Sequence, residues 1–284
     1  MTPYVVYDVF TDRMFGGNPL AVVTQAEALD PGLFQSIARE FGFSETTFVL
    51  PPTRPDCDAR VRIFTPTTEL PFAGHPIIGT SLALRDLGRV GARMTLEIGV
   101  GPIAVETDGA RARFETRVPL DTAPAPAIEA LAPCVGLRPE DVSTRTHAPV
   151  FASLGTPYVL IEVADDAALR RARPVADAFL AASGGDTERL AIYLYLRDGC
   201  DIRARMFHPL GGTPEDPATG SAAAALAAFL GEKDGGSRRF TIRQGIEMGR
   251  PSLIRAEVDV AHGRAVAVRI AGEALRVMEG QLAF

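Results

Sequence analysis

The chain has 284 residues, a formal net charge of −6 and three cysteines, which is enough length for two domains and too acidic a balance for a nucleic-acid partner, since no stripe of Lys and Arg is interleaved with aromatics. Cys57, Cys134 and Cys200 are scattered without a Cys-x-x-Cys, and His75, His147, His208 and His262 never fall two or four apart, so neither a disulfide framework nor a local metal motif is present. No basic segment leads into an apolar one after Met1, and the longest wholly apolar run, residues 222–230, is too short to span a bilayer; a soluble cytoplasmic protein is expected.

Residues 4–10, 20–23, 46–50, 59–64, 94–98, 103–106 and 112–117 read as short strands, rich in β-branched residues and bounded by Gly, Pro and Asp. Among them lies one amphipathic helix: Asp30 can cap it, Pro31 suits its first position, Leu33, Phe34, Ile37, Ala38 and Phe41 form one stripe, and Gly42 ends it. After Gly74 a second helix is apolar on nearly every side, with Ile77, Ile78, Leu82, Ala83, Leu84 and Leu87, and such a helix is buried. A smoother, alanine-rich counterpart covers 221–230. Between them, the polar, proline-containing stretch 121–126 reads as a linker.

These elements repeat. Arg62-Ile63-Phe64-Thr65-Pro66 returns as Arg205-Met206-Phe207-His208-Pro209, Gly17-Asn18-Pro19-Leu20 as Gly155-Thr156-Pro157-Tyr158, and the two buried helices follow Gly74 and Gly220. The offset is too long for a solenoid, whose units run to roughly 20–50 residues. A duplicated α+β domain is expected, each copy a sheet wrapped around a central helix, with a ligand in the cleft between the halves.

Lys233 is the only lysine and sits in a turn-like sequence, so neither a Schiff-base lysine nor a P-loop lysine has a candidate. Gly99-Val100-Gly101 leads into Pro102 instead of a helix, which removes the dinucleotide fingerprint. An enzyme built this way is expected to work with side chains alone.

Four side chains are the candidates for that work. Glu45, if its segment alternates as a strand, shares a face with Phe43, Thr47 and Val49, where desolvation would raise its pKa toward neutrality; the alternative is a glutamate at the strand mouth reaching solvent. His75 stands at the head of the first buried helix and Ser221 at the corresponding place in the second, while Asp216 precedes that helix by a few residues. His75 is a structural or a catalytic histidine, and Asp216 a helix starter or a functional acid. Gly74 and Gly220 open helix N-termini that could hold a carboxylate, or they simply permit tight packing. His208 is expected to be structural.

Asn18-Pro19, Ser44-Glu45-Thr46-Thr47-Phe48-Val49, Phe64-Thr65-Pro66 through Ala73-Gly74-His75-Pro76, Glu215-Asp216-Pro217-Ala218-Thr219-Gly220-Ser221-Ala222 and Gln244-Gly245-Ile246-Glu247-Met248-Gly249-Arg250-Pro251-Ser252 together resemble the PhzF family, the phenazine-biosynthesis isomerase-like proteins, over nearly the whole chain. The resemblance implies the diaminopimelate epimerase-like fold, with halves at 1–120 and 121–264 and a return of 265–284 to the first. It implies a cofactor-independent isomerase of the trans-2,3-dihydro-3-hydroxyanthranilate type, in which Glu45 moves the proton and His75, Asp216 and Ser221 support it. Asn18, Ser44, Gly74, Thr219 and Gly220 are the matching substrate-binding positions. The partners so implied are a small carboxylate and, at most, a second copy of the chain. Related epimerases and proline racemases carry a cysteine at the head of each central helix; here Ala73 and Pro217 or Ala218 are expected in those places. A racemase working without thiols, and a silent binding or scaffold protein, are the alternatives.

Overall fold

A computed structural model describes residues 1–186 and 190–283. Two compact units divide the chain, Met1–Thr116 together with the segment from Arg269 onward, and Arg117–Val268. In the first lie β1 (Thr2–Val9), β2 (Asn18–Val23), α1 (Phe34–Phe41), β3 (Glu45–Leu50), β4 (Ala59–Phe64), β5 (Glu69–Leu70), α2 (Gly74–Asp86), β6 (Arg93–Ile98), β7 (Gly101–Asp108) and β8 (Arg111–Thr116). In the second lie β9 (Asp121–Pro124), α3 (Ile128–Cys134), β10 (Val150–Ser153), β11 (Pro157–Glu162), α4 (Asp166–Arg171), α5 (Ala176–Ala182), β12 (Ile192–Asp198), β13 (Asp201–His208), β14 (Thr213–Asp216), α6 (Gly220–Lys233), β15 (Arg238–Gln244) and β16 (Ser252–Ala261). The long β17 (Arg264–Leu282) begins in the second unit and ends in the first.

The first unit closes on itself. Its strands pair in the order β1, β2, β3, β4, β6, β7, β8, and β17 joins β8 back to β1. Two of those pairings are parallel, β2 with β3 and β4 with β6. Helix α2 packs against β1, β2, β3, β7 and β8 and is buried from Gly74 to Leu84, which is why its apolar residues form no single stripe. Space around it is minimal: a Cβ on Gly79 would stand 2.6 Å from Leu20 and 2.7 Å from Val9.

The second unit repeats the sequence of pairings as β10, β11, β12, β13, β15, β16, again parallel at β11 with β12 and at β13 with β15. Its helix α6 packs against β10, β11, β15 and β16, and α3, α4 and α5 add a core around Leu131, Leu169, Phe179, Leu194 and Phe207.

Register makes the duplication residue-specific. Thr46 pairs with Phe64 as Ile192 pairs with Phe207, and Ile63 pairs with Leu70 as Met206 pairs with Asp216. Counting from these anchors, Glu69 answers Glu215, Pro71 answers Pro217, Ala73 answers Thr219 and His75 answers Ser221. The repeated Arg and Glu form the same clamp twice: Arg62 bonds Glu69 through two contacts of 2.7 Å, and Arg205 bonds Glu215 through two of 2.8 Å. Each clamp ties the short hairpin that feeds a central helix to the sheet. Gly99 and Gly245 are equivalent as well, and a Cβ on either would collide with Pro71 or Pro217. That close approach explains the glycine at Gly99.

Local expectations hold at α1, where Asp30 accepts from the Gly32 N–H at 3.0 Å and Gly42 ends the helix at φ +66°, although the first turn, Pro31–Leu33, is 3₁₀. Phe34 stacks on Phe48 with ring centroids 4.2 Å apart, fixing α1 to β3.

Two readings change. Asp121–Pro124, expected as a linker, is β9 and pairs antiparallel with β10; Pro124 is tolerated because it lies at the strand's last position. Residues Thr46–Val49 are all buried, so β3 has no solvent face and alternation cannot assign Glu45 a side. No helix among the described residues is long and apolar enough to cross a membrane.

Candidate functional site

In the first unit, β3 begins at Glu45 and α2 begins at Gly74, and the parallel pairing of β2 with β3 brings Asn18 and Glu45 toward the head of that helix. His75 Nδ1 lies 3.2 Å from Glu45 Oε2 and 3.3 Å from Asn18 Nδ2. The imidazole is only 4% exposed and Glu45 15%, so this contact is largely sheltered from water. Ser44 is half-buried immediately before β3, and Gly74 is buried beside His75.

Burial pushes the His75 pKa down to about 3. A carboxylate 3.2 Å away favours the imidazolium, but desolvation dominates, and the ring is neutral near pH 7. A neutral ring gives Nδ1 two uses. Bare, it accepts from the Asn18 amide; protonated, it could turn its proton toward Glu45 Oε2, which stands in close contact but is not hydrogen-bonded to it in this arrangement. Nε2 of the same ring is buried with no hydrogen-bond partner among the described residues.

In the second unit, Asp216 closes β14 and is buried; Thr219 donates its hydroxyl to Asp216 Oδ2 at 2.6 Å. Gly220 and Ser221 open α6, and Ser221 Oγ lies 2.7 Å from Tyr158 Oη. Neither Ala73 nor Thr219 caps its helix with a side chain, so the first-turn N–H groups of α2 and α6 keep the positive end of each dipole open to an anion. Among the described residues no three His, Cys, Asp or Glu side chains are grouped as metal ligands are.

The phenazine biosynthesis-like protein family matches residues 7–280. The chain belongs to that family. An uncharacterized isomerase of Mesorhizobium japonicum is 42% identical over 299 residues, covering 98% of both chains. The trans-2,3-dihydro-3-hydroxyanthranilate isomerase of Pseudomonas aeruginosa is 35% identical over 290 residues, covering 99% of both. Among solved structures, the PhzF-family phenazine biosynthesis protein of Bacillus anthracis superposes with a TM-score of 0.88 at 26% identity, covering 100% of this chain and 99% of that one. This protein is a phenazine biosynthesis-like isomerase with the α+β, diaminopimelate epimerase-like fold.

Within this PhzF-family chain, the geometry joins Asn18, Glu45 and His75 in one unit, and Asp216 with Thr219 in the other. Ser221 is bonded to Tyr158. Three residues of the second cluster escaped sequence reading: Tyr158, Tyr193 and Gln244. Tyr193 Oη donates to Gln244 Oε1 at 3.1 Å, and Gln244 in turn reaches Asp216 and Thr219. Gln244 was visible only as part of a family-like motif, and Tyr158 only through its place in the Gly-Thr-Pro-Tyr repeat. The thiol positions also need correction: the residue answering Ala73 is Thr219, two beyond Pro217 and one beyond Ala218. His208 lies against Gly211, where a Cβ would meet its ring at 2.2 Å.

Proposed function

We propose that this isomerase relocates a proton, and with it a carbon–carbon double bond, on a small cyclic or unsaturated carboxylate of the trans-2,3-dihydro-3-hydroxyanthranilate type, without a cofactor. Glu45 takes the proton from carbon; the released pair forms the new double bond, the old one shifts, and Glu45 returns the proton to the far carbon of the conjugated system. The reading rests chiefly on the place of Glu45, a largely sheltered carboxyl 3.2 Å from the neutral, buried His75, which suits a group that must take and return a proton. The P. aeruginosa relative acts, by its name, on that compound, and it aligns over 99% of both chains.

In this reading the uncapped first turns suit a carboxylate: in the first unit Gly74 and His75, with Asn18 and Ser44 beside them, and in the second unit Gly220 and Ser221, with Thr219. Asp216 and Ser221 are the second unit's candidates to support the isomerisation. Incubation with trans-2,3-dihydro-3-hydroxyanthranilate in D₂O tests the proposal: deuterium should enter at carbon while the ultraviolet spectrum changes as the double bond moves. Deuterium entry with inverted configuration and no spectral change would instead identify a racemase that works without thiols. No exchange with this or related acids would leave a binding protein.

A further inference from the structure

Gln244 is the last residue of β15 and is fully buried, its backbone held between Ala204 of β13 and Ser252 of β16. The next residue, Gly245, turns at φ +73°, and a Cβ there would stand 2.6 Å from the Pro217 carbonyl and 2.4 Å from that of Arg250. This turn sets the Gln244 amide against residues 216–219.

Every polar atom of that amide is engaged. Oε1 accepts from the Thr219 N–H at 3.2 Å and from Tyr193 Oη at 3.1 Å; Nε2 donates to the Asp216 carbonyl at 2.7 Å and to Thr219 Oγ1 at 3.0 Å. A backbone N–H can only donate and a backbone carbonyl can only accept, so the amide has one permitted orientation. Thr219 Oγ1 must then accept from Gln244, and its own proton goes to Asp216 Oδ2, 2.6 Å away. The O–H and N–H groups of Tyr193, Gln244 and Thr219 thus point in sequence toward one carboxylate.

The first unit shows what the fold alone requires. Leu96 pairs with Ala59 as Ile242 pairs with Ile202, so Ile98 answers Gln244; Leu70 answers Asp216, Ala73 answers Thr219 and Thr47 answers Tyr193. The same hairpin, helix start and parallel strand pairing form there with apolar side chains at three of the four places, while the fourth, Thr47, bonds elsewhere, to Ala21 and Thr80. The network is therefore not something the repeated architecture itself requires.

We propose that Gln244 is a positioning residue for Asp216: it turns the Thr219 hydroxyl onto Oδ2 and keeps that carboxyl oriented as an ionised acceptor. The role rests on the reading above, in which Asp216 acts in the isomerisation, but the network can be tested apart from turnover. The variants Thr219→Ala and Gln244→Ile import residues that the first unit carries at these places, and Thr219→Ser keeps the hydroxyl. Following the Asp216 carboxyl by ¹³C NMR, its titration midpoint should rise by about 1 pH unit in T219A and in Q244I, because a donor to the charged form is lost, and should stay in place in T219S. With trans-2,3-dihydro-3-hydroxyanthranilate, Q244I should lower kcat about 10-fold with little change in KM, and should add nothing in a D216N background. An Asp216 midpoint unmoved in both T219A and Q244I would overturn the proposal even in an active enzyme, and so would a Q244I loss that persists in full with D216N. If Q244I does not fold, T219A against T219S decides alone. Absence of turnover would count against the proposed reaction and leave the NMR result to judge the network.

Discussion

Glu45 and Ala191 hold equivalent places in the two units, each one residue before the strand position that pairs with the repeated phenylalanine, Phe64 or Phe207. A carboxyl thus stands at the head of β3 and a methyl group at the head of β12. Likewise Asp216 stands where the first unit has Leu70. The acids sit at non-equivalent positions, so the duplication has kept its architecture but not its buried acids.

Replacing Glu45 with Gln preserves shape and removes the proposed base. Turnover of trans-2,3-dihydro-3-hydroxyanthranilate should fall by about 10² or more while the unfolding midpoint holds within a degree or two. Steady-state kinetics with a calorimetric control checks this; full activity in E45Q would remove Glu45 from the reaction.

The reciprocal change, Ala191→Glu, should be costly for the opposite reason. Ala191 is 4% exposed, next to Leu190 at 2%, and a carboxyl placed there is buried among apolar groups. A loss of about 3 kcal/mol in urea unfolding is expected.

His75 should make stability depend on pH. Its folded pKa of about 3 lies below the ordinary 6.5, so between those values the unfolded chain binds a proton that the folded chain does not. Stability contributed by the neutral ring is complete above about pH 6.5 and declines as the pH falls toward 3. Burial lowers the His147 pKa in the same direction, so a residual slope should survive in His75→Asn. Denaturant titrations at several pH values between 7 and 4 should show a shallower decline in H75N than in the unaltered chain; parallel curves would contradict the assignment.

The two arginine clamps should differ in worth. Side-chain exposure is 6% and 15% for Arg205 and Glu215, against 25% and 43% for Arg62 and Glu69. Arg205 also donates to the backbone carbonyls of Leu169, Arg170 and Ala172. Arg205→Ala strands a half-buried carboxylate and three carbonyls and should cost about 3 kcal/mol, whereas Arg62→Ala should cost about 1 kcal/mol. Equal losses in urea would show that burial does not separate them.

Much of this fold could be read from the chain because its signals are local or repeated. Pro31 and Gly42 bracket the helical segment around α1, and the buried α2 and α6 show themselves by lacking a polar face. Strand β9 was hidden because Pro124 and Pro126 resemble a linker, and nothing local says that Asp121–Pro124 will pair with β10. Glu45 stands out as a carboxyl on an apolar strand and His75 by its place at the head of a buried helix, but their mutual contact crosses from β3 to α2 and has no local signature. Gln244 was harder still: its partners Tyr193 and Asp216 lie 51 and 28 residues away, and a buried amide in a strand resembles any other glutamine until its four contacts are known.

The return of β17 also sets an order of events as the chain is made. The barrel of the first unit closes only when residues from Arg269 onward insert between β8 and β1, and the whole segment Arg117–Val268 leaves the ribosome before them. At ordinary rates of synthesis the delay is on the order of ten seconds, during which β1 and β8 present open edges that could pair with another chain. The second unit meets no such wait, since its central helix and the strands around it have all emerged by then. Nascent chains should therefore gain a protease-resistant second unit first, and the half of the molecule that is translated earliest should be the one that finishes folding last.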